Sequence, residues 1–118
     1  MPQADLDKPI YLALYKLILY LYTTLKHFPK EYKYTLGEDI LNLAWKTLDW
    51  TILANTVDNK EKKKYIGKAL STFNSLKYRF RVASDLKILS QKKHAHIIKQ
   101  SAEIEKMLRG WFSWSKRI

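Results

Sequence analysis

The sequence predicts an all-α protein, an up-down-up-down four-helix bundle forming a single domain over residues 1–118. Three observations predict it. The 118 residues hold only three glycines and three prolines, too few breakers for a sheet with many turns. Hydrophobic residues make up 47% and charged residues 28%, a globular balance rather than a disordered one. Apolar residues recur at helical spacing in long runs separated by short polar loops, and short loops make neighbouring helices antiparallel. Roughly residues 1–8 read as an N-terminal arm and 112–118 as a basic C-terminal tail.

The first helix is expected from about Pro9 to His27, with Asp7 as its N-cap. A proline in the first turn lacks only an amide that would be unpaired there. Phe28-Pro29 ends the helix, because the residue before a proline is pushed out of helical geometry. The second helix is expected after Thr35, where Thr35-Leu36-Gly37-Glu38 has the pattern of a capping box, and runs to about Val57. Asp58 or Asn59 can cap the third helix, about Lys60 to Ala83, whose pattern allows continuation toward Leu89. Its stripe of Ile66, Ala69, Phe73, Leu76, Phe80 and Ala83 alternates spacings of three and four. Ser90 caps the fourth helix, which runs to about Arg109, and Gly110 suits the left-handed residue that closes a helix.

Two helices carry more apolar surface than one core requires. Helix one has a stripe of Ile10, Leu14, Leu17 and Leu21 and beside it a second of Tyr11, Tyr15, Ile18 and Tyr22, extended by Leu12 and Leu19. Helix two has Leu36, Ile40, Leu43, Thr47 and Trp50 on one face and Leu41, Trp45, Leu48 and Ile52 on the other. A helix in a lone bundle needs one stripe. The second set, Tyr11, Tyr15, Ile18, Tyr22, Leu41, Trp45, Leu48 and Ile52, is therefore the expected oligomer interface.

The net charge of +11 creates a field that attracts polyanions, with nucleic acid and anionic membrane as the two targets. Lys60, Lys62, Lys63 and Lys64 open helix three, where cations oppose the helix dipole and do not serve that helix's stability. Lys77 and Arg81 flank its stripe on one side, with Lys68 and Arg79 on the other. Lys87, Lys92 and Lys93 surround the turn into helix four, and Lys30 and Lys33 sit in the first loop. Of these, Lys77, Arg79, Arg81, Lys87, Lys92, Lys93, Lys60, Lys62, Lys63, Lys64, Lys30 and Lys33 are the candidate nucleic-acid contacts. No base-reading motif accompanies them, so contacts to backbone and shape are expected.

Catalysis has no visible apparatus, and the chain is not expected to be an enzyme. There are no cysteines, which excludes disulfides, thiolate zinc sites and a cysteine nucleophile, and fits a reducing cytoplasm. The acidic residues are scattered; Asp5, Asp7, Glu38, Asp58 and Glu61 suit caps and first turns. His94 and His96 stand on different sides of a helix and lack an i+4 ligand, so no metal is expected. No glycine-rich phosphate loop or cofactor motif is present. The apolar run Ile10–Leu25 is interrupted by Lys16 and is short for a membrane span of ~20 residues. The first residues lack the pattern of a signal peptide. No membrane partner and a cytoplasmic location are expected.

Three stretches carry a family likeness: Phe28-Pro29-Lys30 followed by Tyr34-Thr35-Leu36-Gly37; Arg81-Val82-Ala83-Ser84-Asp85-Leu86-Lys87-Ile88-Leu89-Ser90; and Leu108-Arg109-Gly110-Trp111. In order and spacing they resemble the accessory variability determinant proteins of diversity-generating retroelements, with the likeness extending from about Ile10 to Phe112. Lys33 stands where the family usually has arginine, Arg109 where it has glycine and Arg79 where it is apolar; Lys77 and Arg81 match basic positions. The resemblance implies a four-helix bundle assembled as a homopentameric barrel. It further implies a non-catalytic subunit that binds the retroelement's reverse transcriptase, its template or spacer RNA and cDNA, and supports mutagenic retrohoming. The four-helix proteins encoded in ribosomal RNA intervening sequences share the fold, and a generic nucleic-acid-binding or structural oligomer of that type is the alternative. A peripheral membrane protein using basic, aromatic helices is a further reading.

Overall fold

Four long helices account for most of the chain in the computed structural model, which describes residues 8–118: α1, Pro9–Leu25; α2, Glu38–Thr56; α3, Asn59–Asp85; and α4, Gln91–Ser115. A helical turn at Lys30–Tyr32 and a π-helical turn at Lys33–Gly37 lead into α2 without a break. Each helix packs on its neighbours in the chain, and α1 meets α4 to close the bundle.

Pro9 begins α1, and the extended residue before it is Lys8, which makes no side-chain cap bond. The expected cap, Asp7, lies outside the described residues, as do Asp5 and the rest of the arm before Lys8. The helix ends at Leu25, before His27. The amides of His27 and Phe28 bond back to Thr24 and Leu25 at 3.1 Å, and Pro29 then stops the continuation.

The expected capping box does not form. Pro29 is extended, and its carbonyl accepts from the amides of Tyr32 and Lys33, both at 2.9 Å. The helical course therefore begins at Lys30. By Thr35 the backbone is already helical, so its hydroxyl has no cap to make and instead donates to the Glu31 carbonyl at 3.1 Å. This is the back-bonding of a threonine inside a helix. Gly37 is buried, and a Cβ there would lie 3.3 Å from the Tyr32 carbonyl oxygen, closer than a side chain fits comfortably.

In α3 every member of the predicted stripe, Ile66 to Ala83, is buried. Asp58 occupies the cap position but makes no side-chain bond. The helix closes in a Schellman motif: the Ile88 amide reaches the Ala83 carbonyl at 3.2 Å and the Lys87 amide that of Ser84 at 2.9 Å. Lys87 itself takes the left-handed conformation, φ 61°. Ser90 caps α4 as expected, its hydroxyl oxygen accepting from the Lys93 amide at 3.2 Å.

Gly110 does not close α4. No glycine has positive φ among the described residues, and the helix runs on to Ser115. One interior glycine costs only about 1 kcal/mol, and Trp111, packed against the core just beyond it, offsets that by holding the last turns down. The expected tail is thus mostly helix.

The core is built from Leu14, Leu17 and Leu21 of α1, Ile40 of α2, Phe73 and Leu76 of α3, and Ile97, Ile104 and Leu108 of α4, none more than 1% exposed. Beyond Ile40, α2 buries small residues: Ala44, Thr47, Thr51 and Ala54. The threonine hydroxyls donate one turn back, Thr47 to Leu43 and Thr51 to Thr47, both at 2.8 Å. That satisfies them without a cross-helix partner and leaves room for α3 to approach.

Candidate nucleic-acid interface

The expected basic residues do not form one patch. Antiparallel packing sends those that open α3, Lys60, Lys63 and Lys64, to one end of the bundle. Those around the turn into α4, Lys87, Lys92 and Lys93, go to the other end, with Lys30 and Lys33. The ends are separated by the length of α3, about 40 Å at 1.5 Å per residue. Lys60, Lys63, Lys64, Lys87, Lys92 and Lys30 are exposed; Lys33 and Lys93 are half-buried.

Lys62 belongs elsewhere. It is half-buried, and its ammonium donates to the carbonyls of Ala54 at 2.9 Å and Asn55 at 3.2 Å. These belong to the last turn of α2, where carbonyls lack intrahelical partners and the dipole is negative. A lysine unfavourable to its own helix thus serves its neighbour, and Lys62 is occupied by the fold.

Between the two ends, the cations on the flanks of α3, Arg81 excepted, are held in place. The Lys77 ammonium pairs with Glu105 of α4, whose other oxygen accepts from Arg109 Nε at 2.8 Å. Lys77, and next Arg109, hold the Glu105 carboxyl below its ordinary range, against the opposing effect of burial. Arg79 Nε meets Asp39 at the start of α2 at 3.0 Å, and its Nη1 donates to the Ser75 carbonyl. Arg109 and Arg79 thus each have an acidic partner. Arg81 is 73% exposed and lies 3.4 Å from Asp85, a pairing too open to constrain it much. Lys68 lies over the Trp50 ring at 5.2 Å.

The structure extends Lys92 into a row by two cations that sequence reasoning missed, Lys99 and Lys106. Lys92, Lys99 and Lys106 are exposed on α4 and recur every seven residues, about 10.5 Å apart along one face. Exposed Glu103 interrupts the row. The signal was present in the spacing, but an exposed lysine row has no apolar stripe to draw attention to it.

The apolar set divides as well. Tyr11 and Ile18 are buried and belong to the protomer's own interior, while Leu41 and Leu48 are half-buried against the core. On α1 the two stripes overlap in the sector facing α2. Tyr11 and Ile18 take its inner edge; Tyr15 and Tyr22 take the outer edge. Tyr15, Tyr22, Trp45 and Ile52, with Leu12 and Leu19, are exposed. Trp45 Nε1 donates to the Tyr22 hydroxyl at 3.1 Å, which joins the exposed residues of α1 and α2 across the helix seam.

No group of three metal-ligating side chains exists among the described residues. His96 packs its ring 4.4 Å from that of Tyr20. Among the described residues no helix is long and apolar enough to cross a membrane. None of the curated proteins matches the chain. A protein-family model described as bAvd-like matches residues 10–115.

Proposed function

The chain belongs to the bAvd-like family, consistent with an accessory variability determinant protein, and from that premise we propose that it is the non-catalytic accessory subunit of a diversity-generating retroelement. In this reading it binds the element's reverse transcriptase and its template RNA or cDNA and supports mutagenic cDNA synthesis. It acts as a homo-oligomer, a pentameric barrel by family resemblance.

The observation that carries the reading is the division of the surface. Leu12, Tyr15, Leu19 and Tyr22 of α1 and Trp45, Ile52 and Leu53 of α2 are exposed, a set that a second copy can cover. Cations occupy the outer face of α4, the outer flank of α3 and both ends of the bundle. A ring formed through the apolar side leaves the basic sides free and repeats each weak patch, so polyanion binding gains from multivalency.

The test is reconstitution of cDNA synthesis from purified reverse transcriptase and template RNA, with and without this protein. Stimulation that tracks co-purification of protein, polymerase and RNA is expected. Equal cDNA yield in its absence would overturn the proposal.

A further inference from the structure

We propose that the cleft between α3 and α4 holds an unpaired nucleobase of a single-stranded nucleic acid, stacked on Tyr78. The proposal rests on the nucleic-acid reading above and adds what the site recognises.

Tyr78 projects from the C-terminal half of α3 and is 71% exposed, so its ring contributes little to the bundle's own packing. Across the cleft, Ile98 of α4 is 53% exposed. These two large apolar side chains border a cleft of about 540 Å³ that is also lined by Lys77, Arg81 and His94. Its carboxylate, Glu105, is already matched by Lys77 and Arg109, which leaves Arg81 as the most exposed charge. Ser101 is 5% exposed and lines the same cleft, and its hydroxyl has no hydrogen-bond partner among the described residues.

An exposed π face, an apolar side chain opposite and an exposed guanidinium suit one kind of occupant. A nucleobase offers a π face to the ring and carries a phosphate for Arg81. A base inside a duplex has both faces covered, so the cleft favours single strands. Stacking tolerates every base, so this selectivity needs no sequence preference.

The experiment measures binding of the full chain to two labelled RNAs, a single-stranded oligoadenylate and a blunt hairpin duplex with the same number of phosphates. Tyr78→Ala, Tyr78→Leu and Tyr78→Phe are compared with the unaltered protein, with circular dichroism to verify folding. Tyr78→Ala and Tyr78→Leu should weaken single-strand binding about 5- to 150-fold, the range for losing one base–aromatic stack. Duplex binding should change less than twofold, and Tyr78→Phe should retain single-strand affinity. Tyr78→Leu keeps an apolar side chain on the helix, so the test stands if alanine impairs folding. Unchanged single-strand binding in both ring-less variants, or an equal loss on both RNAs, overturns the stacking site alone. Capture of the reverse transcriptase by each variant is measured alongside, and its loss with RNA binding intact assigns the cleft to a protein segment and also overturns the proposal. If the unaltered protein binds neither RNA, the nucleic-acid reading itself fails.

Discussion

Lys62, in the first turn of α3, donates from its ammonium to the carbonyl of Ala54, in the last turn of α2, at 2.9 Å. The contact ties the two helices together across a very short loop. Removing it leaves carbonyls at a negative helix end without their cation. Lys62→Ala is expected to cost about 1 kcal/mol, ~4 °C in Tm for a domain of this size. Lys63→Ala, which alters an exposed neighbour, should stay within about 0.5 kcal/mol. Thermal melts of the two variants check this. Nucleic-acid affinity should fall more for Lys63→Ala, the reverse of the stability order.

The exposed side of α1 and α2 sets the second expectation. Trp45→Glu should dissociate the oligomer, because assembly would bury a charge with no partner. The isolated protomer should remain helical, since Trp45 is 41% exposed within it. Light scattering and circular dichroism together read both outcomes. A monomeric unaltered protein at micromolar concentration would refute the assembly.

Glu105 makes stability depend on acid. Its folded-state pKa is lowered by Lys77 and Arg109, below the ~4.3 of an unfolded glutamate. The stability it contributes is therefore complete above that value and is lost as pH falls through the folded-state pKa. Glu105→Gln should be less stable than the unaltered protein at pH 7, and the gap should narrow as pH drops below about 4. Urea denaturation at pH 7 and pH 3 measures it.

Lys87 stands where a helix closure favours glycine. A left-handed lysine is strained by roughly 1 kcal/mol, so Lys87→Gly should raise Tm by a few degrees, whereas Lys87→Val should lower it. If Lys87 meets a phosphate, the glycine variant should also reduce the salt slope of single-strand RNA binding by about 0.7. Stability would then rise while affinity falls, and the same two variants report both.

The row on α4 is the last expectation. Replacing Lys92, Lys99 and Lys106 with alanine should lower the slope of log affinity against log salt by about 2 for a single strand, with no change in oligomer size. Lys46→Ala, an exposed lysine on α2, should lower it by far less. A titration at several salt concentrations separates them.

Much of the helical frame was legible because burial leaves a period in the sequence. The stripe from Ile66 to Ala83 and the cap at Ser90 both depend on residues close together in the chain. Thr35 to Glu38 misled because the signature is genuine but Pro29 starts the helix first. Gly110 misled because its conformation is decided by packing at Trp111 and not by its own freedom. The site was less legible for a related reason. That Lys62 reaches α2 and Lys77 reaches Glu105 depends on the register between helices, which no local pattern specifies. The proximity of Tyr78 and Ile98 has the same origin.

The π-helical turn at Lys33–Gly37 gives the loop end of the bundle its own clock. A π turn spends one more residue than an α turn, which rotates the preceding residues by about 100° relative to α2. Side chains such as Tyr34 are therefore phased separately from Ile40, Ala44 and Thr47, which are locked to the core. The lead-in can present one face to its surroundings while α2 presents another to α3. A substitution that rewound this turn to regular α-helix would leave the α2 core pattern in place and rotate the lead-in, carrying exposed Tyr34 together with Tyr32, which packs against the core.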